Sequence, residues 1–225
     1  MQYINGLETF SAAGRSAVTL GKFDGLHKGH QKLVEKVTEY GRADGLNSIV
    51  CAFDMEPLCR RLNRPYQVLM TQEERKRHLE GQVDYLVSCP FTESFSQMSA
   101  EDFIRDVIAG LFQAAYVVVG TDFHFGYQKR GDVHMLAAYQ HIYDYQLEVV
   151  DKERYEDREI SSTFVKEALA AGDMALAETL LGYPYELEGT VEHGKKLGRT
   201  PGFPTFNVEP PKEQLLPPNG VYLEQ

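Results

Sequence analysis

Basic residues, cysteines and long apolar runs are all scarce in this chain, and each shortage excludes something. Lys and Arg total 23 against 33 Asp and Glu, a formal net charge of −10. A general nucleic-acid binder draws its affinity largely from cationic contacts to phosphate, so that partner is excluded. A small phosphorylated ligand held by a few local cations is not. The three cysteines, Cys51, Cys59 and Cys89, sit in no metal-binding spacing, and an odd number closes no disulfide set, so a reducing cytoplasm is expected. No apolar run approaches the roughly 18 residues of a membrane span. The opening MQYINGLETF has neither the basic nor the apolar part of a secretory signal, so no membrane partner is expected either. Nothing in the sequence fixes an oligomeric state.

What remains is an ordinary globular composition over 225 residues, 43% hydrophobic and 25% charged, enough for one large domain or one and a half. The first 150 residues alternate strand-like and helix-like runs. Strands are expected at 17–21, 48–53, 83–89, 116–120 and 146–151. Helices are expected at 27–42, 71–81, 99–110 and 132–143. Thr71, with Glu74 three residues on, suits a capping box. Such alternation implies βαβ units and a mostly parallel sheet, whose ligands bind at the carboxyl ends of the strands. Two further helices, 163–171 and 173–181, are divided by Gly172 and a new cap at Asp173. After Gly182 the chain turns Pro- and Gly-rich and reads as β structure. Residues 1–182 are therefore expected to form one domain and 183–225 either to pack on it or to open a second.

The chemistry-bearing residues fall in the turns. After the first strand comes Gly21-Lys22-Phe23-Asp24-Gly25-Leu26-His27-Lys28-Gly29-His30. Two histidines three apart share one face of a helix, Gly29 leaves the approach to the first turn open, and a helix N-terminus favours phosphate. A half-built metal site has the same spacing, but no third ligand of the right kind is near in sequence. Gly120-Thr121-Asp122-Phe123-His124-Phe125-Gly126 follows the fourth strand. Ile160-Ser161-Ser162-Thr163 opens a helix with Lys166 one turn in. Three hydroxyl residues there are caps, or they present hydroxyls and free N–H groups to a polyphosphate.

The string GKFDGLHKGH resembles the nucleotide-binding signature of bacterial FAD synthetases, within the HxGH nucleotidylyltransferase superfamily. The resemblance implies an α/β fold, a Rossmann-like nucleotidylyltransferase domain with a parallel sheet. It implies FMN adenylyltransferase activity, ATP plus FMN giving FAD and pyrophosphate. His27 and His30 are then catalytic, contacting ATP phosphates. Gly21, Phe23, Asp24 and Gly25, with Ser161, Ser162, Thr163 and Lys166, complete the ATP site. Asp122, Phe123, His124, Phe125 and Gly126 are similar to the family's DFRFG element, implying a flavin contact, with His124 in place of Arg. Lys166 stands where the ISSTxxR pattern has Arg, keeping the charge but losing the bidentate fork. Phe164 stands where many members have another Arg, and Phe53-Asp54-Met55-Glu56-Pro57 matches the family's FDPHP only partly.

The stretch from Gly194 to Asn207 resembles the GxGRTxGFPTAN signature of riboflavin kinases, a small β-barrel fused to the adenylyltransferase. Gly202, Pro204, Thr205 and Asn207 carry it, and the resemblance implies that Thr205 and Asn207 help hold Mg²⁺. Phe206 replaces the motif's Ala. The chain ends at Gln225, shortly after the motif, so the expectation is an incomplete barrel without kinase activity. Mg²⁺ is the implied cofactor, and ATP, FMN and FAD are the implied small-molecule partners. Two rivals are another HxGH adenylyl- or cytidylyltransferase and a non-catalytic flavin- or nucleotide-binding relative.

Overall fold

The computed structural model describes residues 1–192 and 207–222. Six strands form one parallel sheet: β1 (Gln2–Asn5), β2 (Ser16–Gly21), β3 (Asn47–Asp54), β4 (Tyr85–Pro90), β5 (Ala114–Gly120) and β6 (Gln146–Val150). Their order is β1-β4-β3-β2-β5-β6, every neighbouring pair parallel. From β2 the chain winds one way through β3 and β4, and from β5 the other way to β6. The crevice between β2 and β5 is thus the topological switch point, where such sheets bind ligands. Helices cover both faces, which explains why β2 is buried from Ser16 to Leu20 and reads as an apolar run rather than an alternation.

The helices are α1 (Lys28–Asp44), α2 (Glu56–Arg61), α3 (Gln72–Leu79), α4 (Glu93–Ser96), α5 (Ala100–Asp102), α6 (Val133–Tyr143), α7 (Ser162–Ala170) and α8 (Met174–Leu181). Their ends follow local chemistry. Thr71 and Glu74 form the reciprocal capping box that the sequence suggests. Asp173 caps α8, and Gly182 stops it in the left-handed region at φ 84°. Short pairs β7 (Arg154–Tyr155) with β8 (Arg158–Glu159), and β9 (Thr190–Glu192) with β10 (Asn207–Glu209), are antiparallel.

Several features differ from the expected elements. β1 was not anticipated: it is a four-residue edge strand with one buried residue, Ile4, too little pattern to read. The expected helix at 99–110 begins as α5 and continues as a π-helix over Phe103–Leu111. Its wider turn, with Phe112 N–H bonded to the Val107 carbonyl at 2.9 Å, carries Phe112 onto the buried face beside Phe103, Val107 and Ile108. α2, α4 and the β7–β8 pair were also unanticipated.

The proline-rich tail packs on the first unit at several places, among them Tyr183 on the Gly25 carbonyl and Glu188 on Arg77, and most closely at Val68. Val68 N–H donates to the Glu213 carbonyl (2.8 Å), and Leu215 N–H returns the bond to Val68 (2.9 Å). Gln214, only 3% exposed, donates its amide to both Glu74 carboxylate oxygens and to the Glu186 carbonyl. A complete barrel is not formed among the described residues: β9 and β10 make a two-stranded sheet.

Candidate active site

The glycine turn leaves β2 at Gly21 and is held in a strained shape. Phe23 (φ 47°) and Leu26 (φ 38°) occupy the left-handed region, uncommon for bulky residues and concentrated where a site must be shaped. Both are buried. Gly25 has φ 82°, and a Cβ there would lie 2.7 Å from Leu69 Cδ1, so only glycine fits.

His27 is the residue that starts α1, not a member of the helix, and its side chain makes no capping bond. Its imidazole folds back on that of His30, with ring centroids 3.7 Å apart and planes 21° from parallel. Gly29 lets this happen, because a Cβ there would be 3.3 Å from two His27 ring atoms. Phe23 supports His30 from behind, centroid to centroid 5.0 Å. In both histidines Nδ1 is buried without a hydrogen-bond partner. Burial pulls the His27 pKa down to about 4, against the opposing pull of Asp24 and Asp122. Burial, reinforced by His27 and Arg75, holds His30 well below the ordinary histidine value. At neutral pH both rings are uncharged in the free protein.

The pair lines a cleft of about 440 Å³ at the carboxyl ends of β2, β5 and β6. Ser161, Ser162 and Thr163 line it too, at the N-terminus of α7, where the Ser161 hydroxyl caps Phe164 N–H (3.2 Å). Gly21, Asp122, Phe123 and His124 complete the predicted residues that meet there. The His124 Nδ1 lies 2.8 Å from the Asp122 carbonyl. Lys152 was missed by sequence reasoning: a single lysine after β6 in no motif. It lines the same cleft, its ammonium 2.9 Å from Asp122 and 2.8 Å from Glu159.

The other predicted residues stand apart. Phe125 is core, packed on Phe103 and Phe123. Gly126, at φ 72°, passes within 2.6 Å of Ala100 Cα, measured from a Cβ built there, so it is a packing glycine. Asp24 and Lys166 line a second cavity of about 250 Å³, with Asp54, Glu56, Tyr66 and Arg75. Asp24 fastens three segments: its carboxylate accepts Leu69 N–H (2.6 Å) and pairs with Lys166 (2.7 Å), and its carbonyl accepts the Ser162 hydroxyl (2.8 Å). Lys22 and Phe53 line both cavities. Gly202, Pro204 and Thr205 lie outside the described residues; Asn207 is exposed in β10.

Among the described residues, no three His, Cys, Asp or Glu side chains cluster as a metal cage. The His cleft does hold Asp122 and Asp151, hard oxygen donors of the kind that share Mg²⁺ with substrate phosphates. The cysteines are free, Cys51 and Cys89 buried in the sheet and Cys59 on the second cavity. Among the described residues no helix is long and apolar enough to cross a membrane.

A family model described as FAD synthetase matches residues 10–164, and one described as riboflavin kinase matches 181–225. A bifunctional riboflavin kinase/FMN adenylyltransferase of Escherichia coli strain K12 is 35% identical over 226 residues, covering 99% of this chain and 72% of that protein. The protein of the same name from Buchnera aphidicola (Acyrthosiphon pisum) is 34% identical with the same coverage. A crystal structure described as a macrolide-efflux protein from Streptococcus pneumoniae superposes with a TM-score of 0.86 at 31% identity, over 98% of this chain and 73% of that one.

Proposed function

The chain belongs to the FAD synthetase family, and from that premise we infer that it is an FMN adenylyltransferase, converting ATP and FMN to FAD and pyrophosphate. A phosphate oxygen of FMN attacks the α-phosphorus of ATP. The new P–O bond joins the two nucleotides, and the bond to the β-phosphate breaks to release pyrophosphate. The attacking oxygen is already anionic at neutral pH, so no serine or cysteine nucleophile is required. Catalysis reduces to positioning and charge stabilisation.

The observation that carries this reading is the stacked pair of uncharged histidines at the switch point. With both Nδ1 atoms enclosed, Nε2 is the nitrogen each ring offers, and we assign the proton there. Two N–H donors held by packing then face the reacting phosphate, and the approach of that phosphate's charge raises the pKa of both rings. The N-terminus of α7, with Ser162 and Thr163, receives the far phosphates. Phe53 and Phe123 offer apolar surface for the flavin ring on the adjoining wall. When bound with ATP, Mg²⁺ neutralises phosphate charge. Asp122 and Asp151 are the side chains that would hold it. A reaction that consumes ATP, in a protein whose cysteines are all free, fits the cytoplasm.

Incubation with ATP, Mg²⁺ and FMN, followed by HPLC, tests the reading: FAD and pyrophosphate are expected in equal amounts. Flavin binding with no FAD formed would replace the enzyme with a binding protein.

A further inference from the structure

The triphosphate needs a cation, and the one that the motif offers is engaged elsewhere. Lys166 Nζ lies 2.7 Å from Asp24 and 2.8 Å from the Gln67 carbonyl, on the second cavity. Asp24 is only 13% exposed and also holds Leu69 N–H, so freeing Lys166 would strand a buried carboxylate. Among the described residues, the lysines on the His cleft are Lys22, Lys129 and Lys152. Lys22 and Lys129 are exposed, whereas the Lys152 side chain is 25% exposed and fixed between two carboxylates.

We propose that Lys152 is the ammonium that meets the leaving pyrophosphate in the adenylyl transfer described above, on which this assignment rests. Its position supports the role. Lys152 follows the carboxyl end of β6, at the rim where parallel sheets present ligand groups. One anchor, Glu159, ends β8 two residues before the Ser161 cap of α7, so the ammonium is tied to the segment that leads into that helix N-terminus. The other, Asp122, follows β5, so Lys152 joins the switch-point loop to the segment that leads into α7. The two anchors are 69% and 50% exposed, so either can release the ammonium when a phosphate competes. That release costs little, unlike the release of Asp24. As the bond to the β-phosphate breaks, charge collects on the departing oxygens, and a cation already in place stabilises it without reorganisation.

Calorimetric titration of the full chain with pyrophosphate, ATP and adenosine tests the assignment, using Lys152→Gln, Lys152→Arg and Lys166→Gln. Loss of one charge-assisted contact predicts about tenfold to hundredfold weaker pyrophosphate and ATP binding in K152Q. Adenosine binding should be unchanged, K152R should recover most of the loss, and K166Q should lose less than K152Q. A purely structural role for Lys152 would weaken adenosine as well. Pyrophosphate binding by K152Q equal to that of the unaltered chain, or no pyrophosphate binding by the unaltered chain, overturns the proposal. An unaltered chain that makes no FAD overturns the adenylyl-transfer reading instead, and the titrations still judge Lys152.

Discussion

On one side of Phe53 lie two stacked imidazoles with enclosed, unpartnered nitrogens; on the other lie Asp24, Arg75 and Lys166, each tied to protein groups. Both cavities carry charged side chains and both open beside the glycine turn, yet they are built oppositely. The second cavity spends its charges on the frame: Asp24 fastens the turn to residue 69 and to α7, and Arg75 donates to the Phe23 carbonyl. The first encloses both Nδ1 atoms without a partner, an arrangement that costs stability, and keeps each Nε2 for a ligand. Sequence motifs run across both without distinguishing them.

Substitutions should separate the two. The largest effect is expected for His30→Gln and His27→Gln, about a hundredfold to a thousandfold in kcat for FAD formation, the scale of one lost oxyanion donor. Steady-state HPLC assays measure it, and a kcat within a factor of about three of the unaltered chain would remove the histidines from the chemistry. Next comes pH. The folded His27 pKa of about 4 lies below the unfolded value near 6.5, so between these the unfolded chain binds the proton first. The His27 contribution to stability is therefore complete above about pH 6.5 and falls by about 3 kcal/mol as pH drops to about 4. Urea denaturation at several pH values should show that slope, and H27Q should reduce it to the part that His30 contributes.

On the frame side, Gln214→Ala leaves the buried Glu74 carboxylate without its amide donor. A loss of about 1–3 kcal/mol is expected by the same denaturation, with the kcat for FAD formation moving less than in H27Q. Smallest is Thr71→Ala, which removes half of the capping box for about 1 kcal/mol. A kcat loss in Q214A as large as that in H27Q would mean that the two cavities are not divided as described.

How much of this was legible before the fold was known depends on what carried the signal. The sheet, the switch-point turns, the Thr71 box and the caps at Ser161 and Asp173 are local: each is written in a few neighbouring residues. The histidine pair was legible as a pair, but its geometry was not. Spacing alone puts two side chains on one helix face, whereas His27 precedes the helix and reaches His30 by folding over Gly29. Lys166 reads as a phosphate ligand until Asp24, far away in the chain, is seen to hold it. Lys152 carries no motif, and its meaning comes from Asp122 and Glu159 on two other segments. Partnerships across the fold are set by topology, which neither periodicity nor local chemistry encodes.

The two family matches stop at residue 164 and start at 181, inviting a cut between them. The Val68 bridge argues against treating that point as a clean boundary. Severing the chain after α8 would take away the neighbour that satisfies Val68 on both its backbone groups and the amide that faces Glu74. It would also remove Glu213 from the rim of the second cavity. The joint behaves like a mortise, in which a short tongue from the later stretch is seated in the earlier one. Separate expression of the halves should therefore yield a front piece that is less soluble and easier to unfold than the same residues in the whole chain.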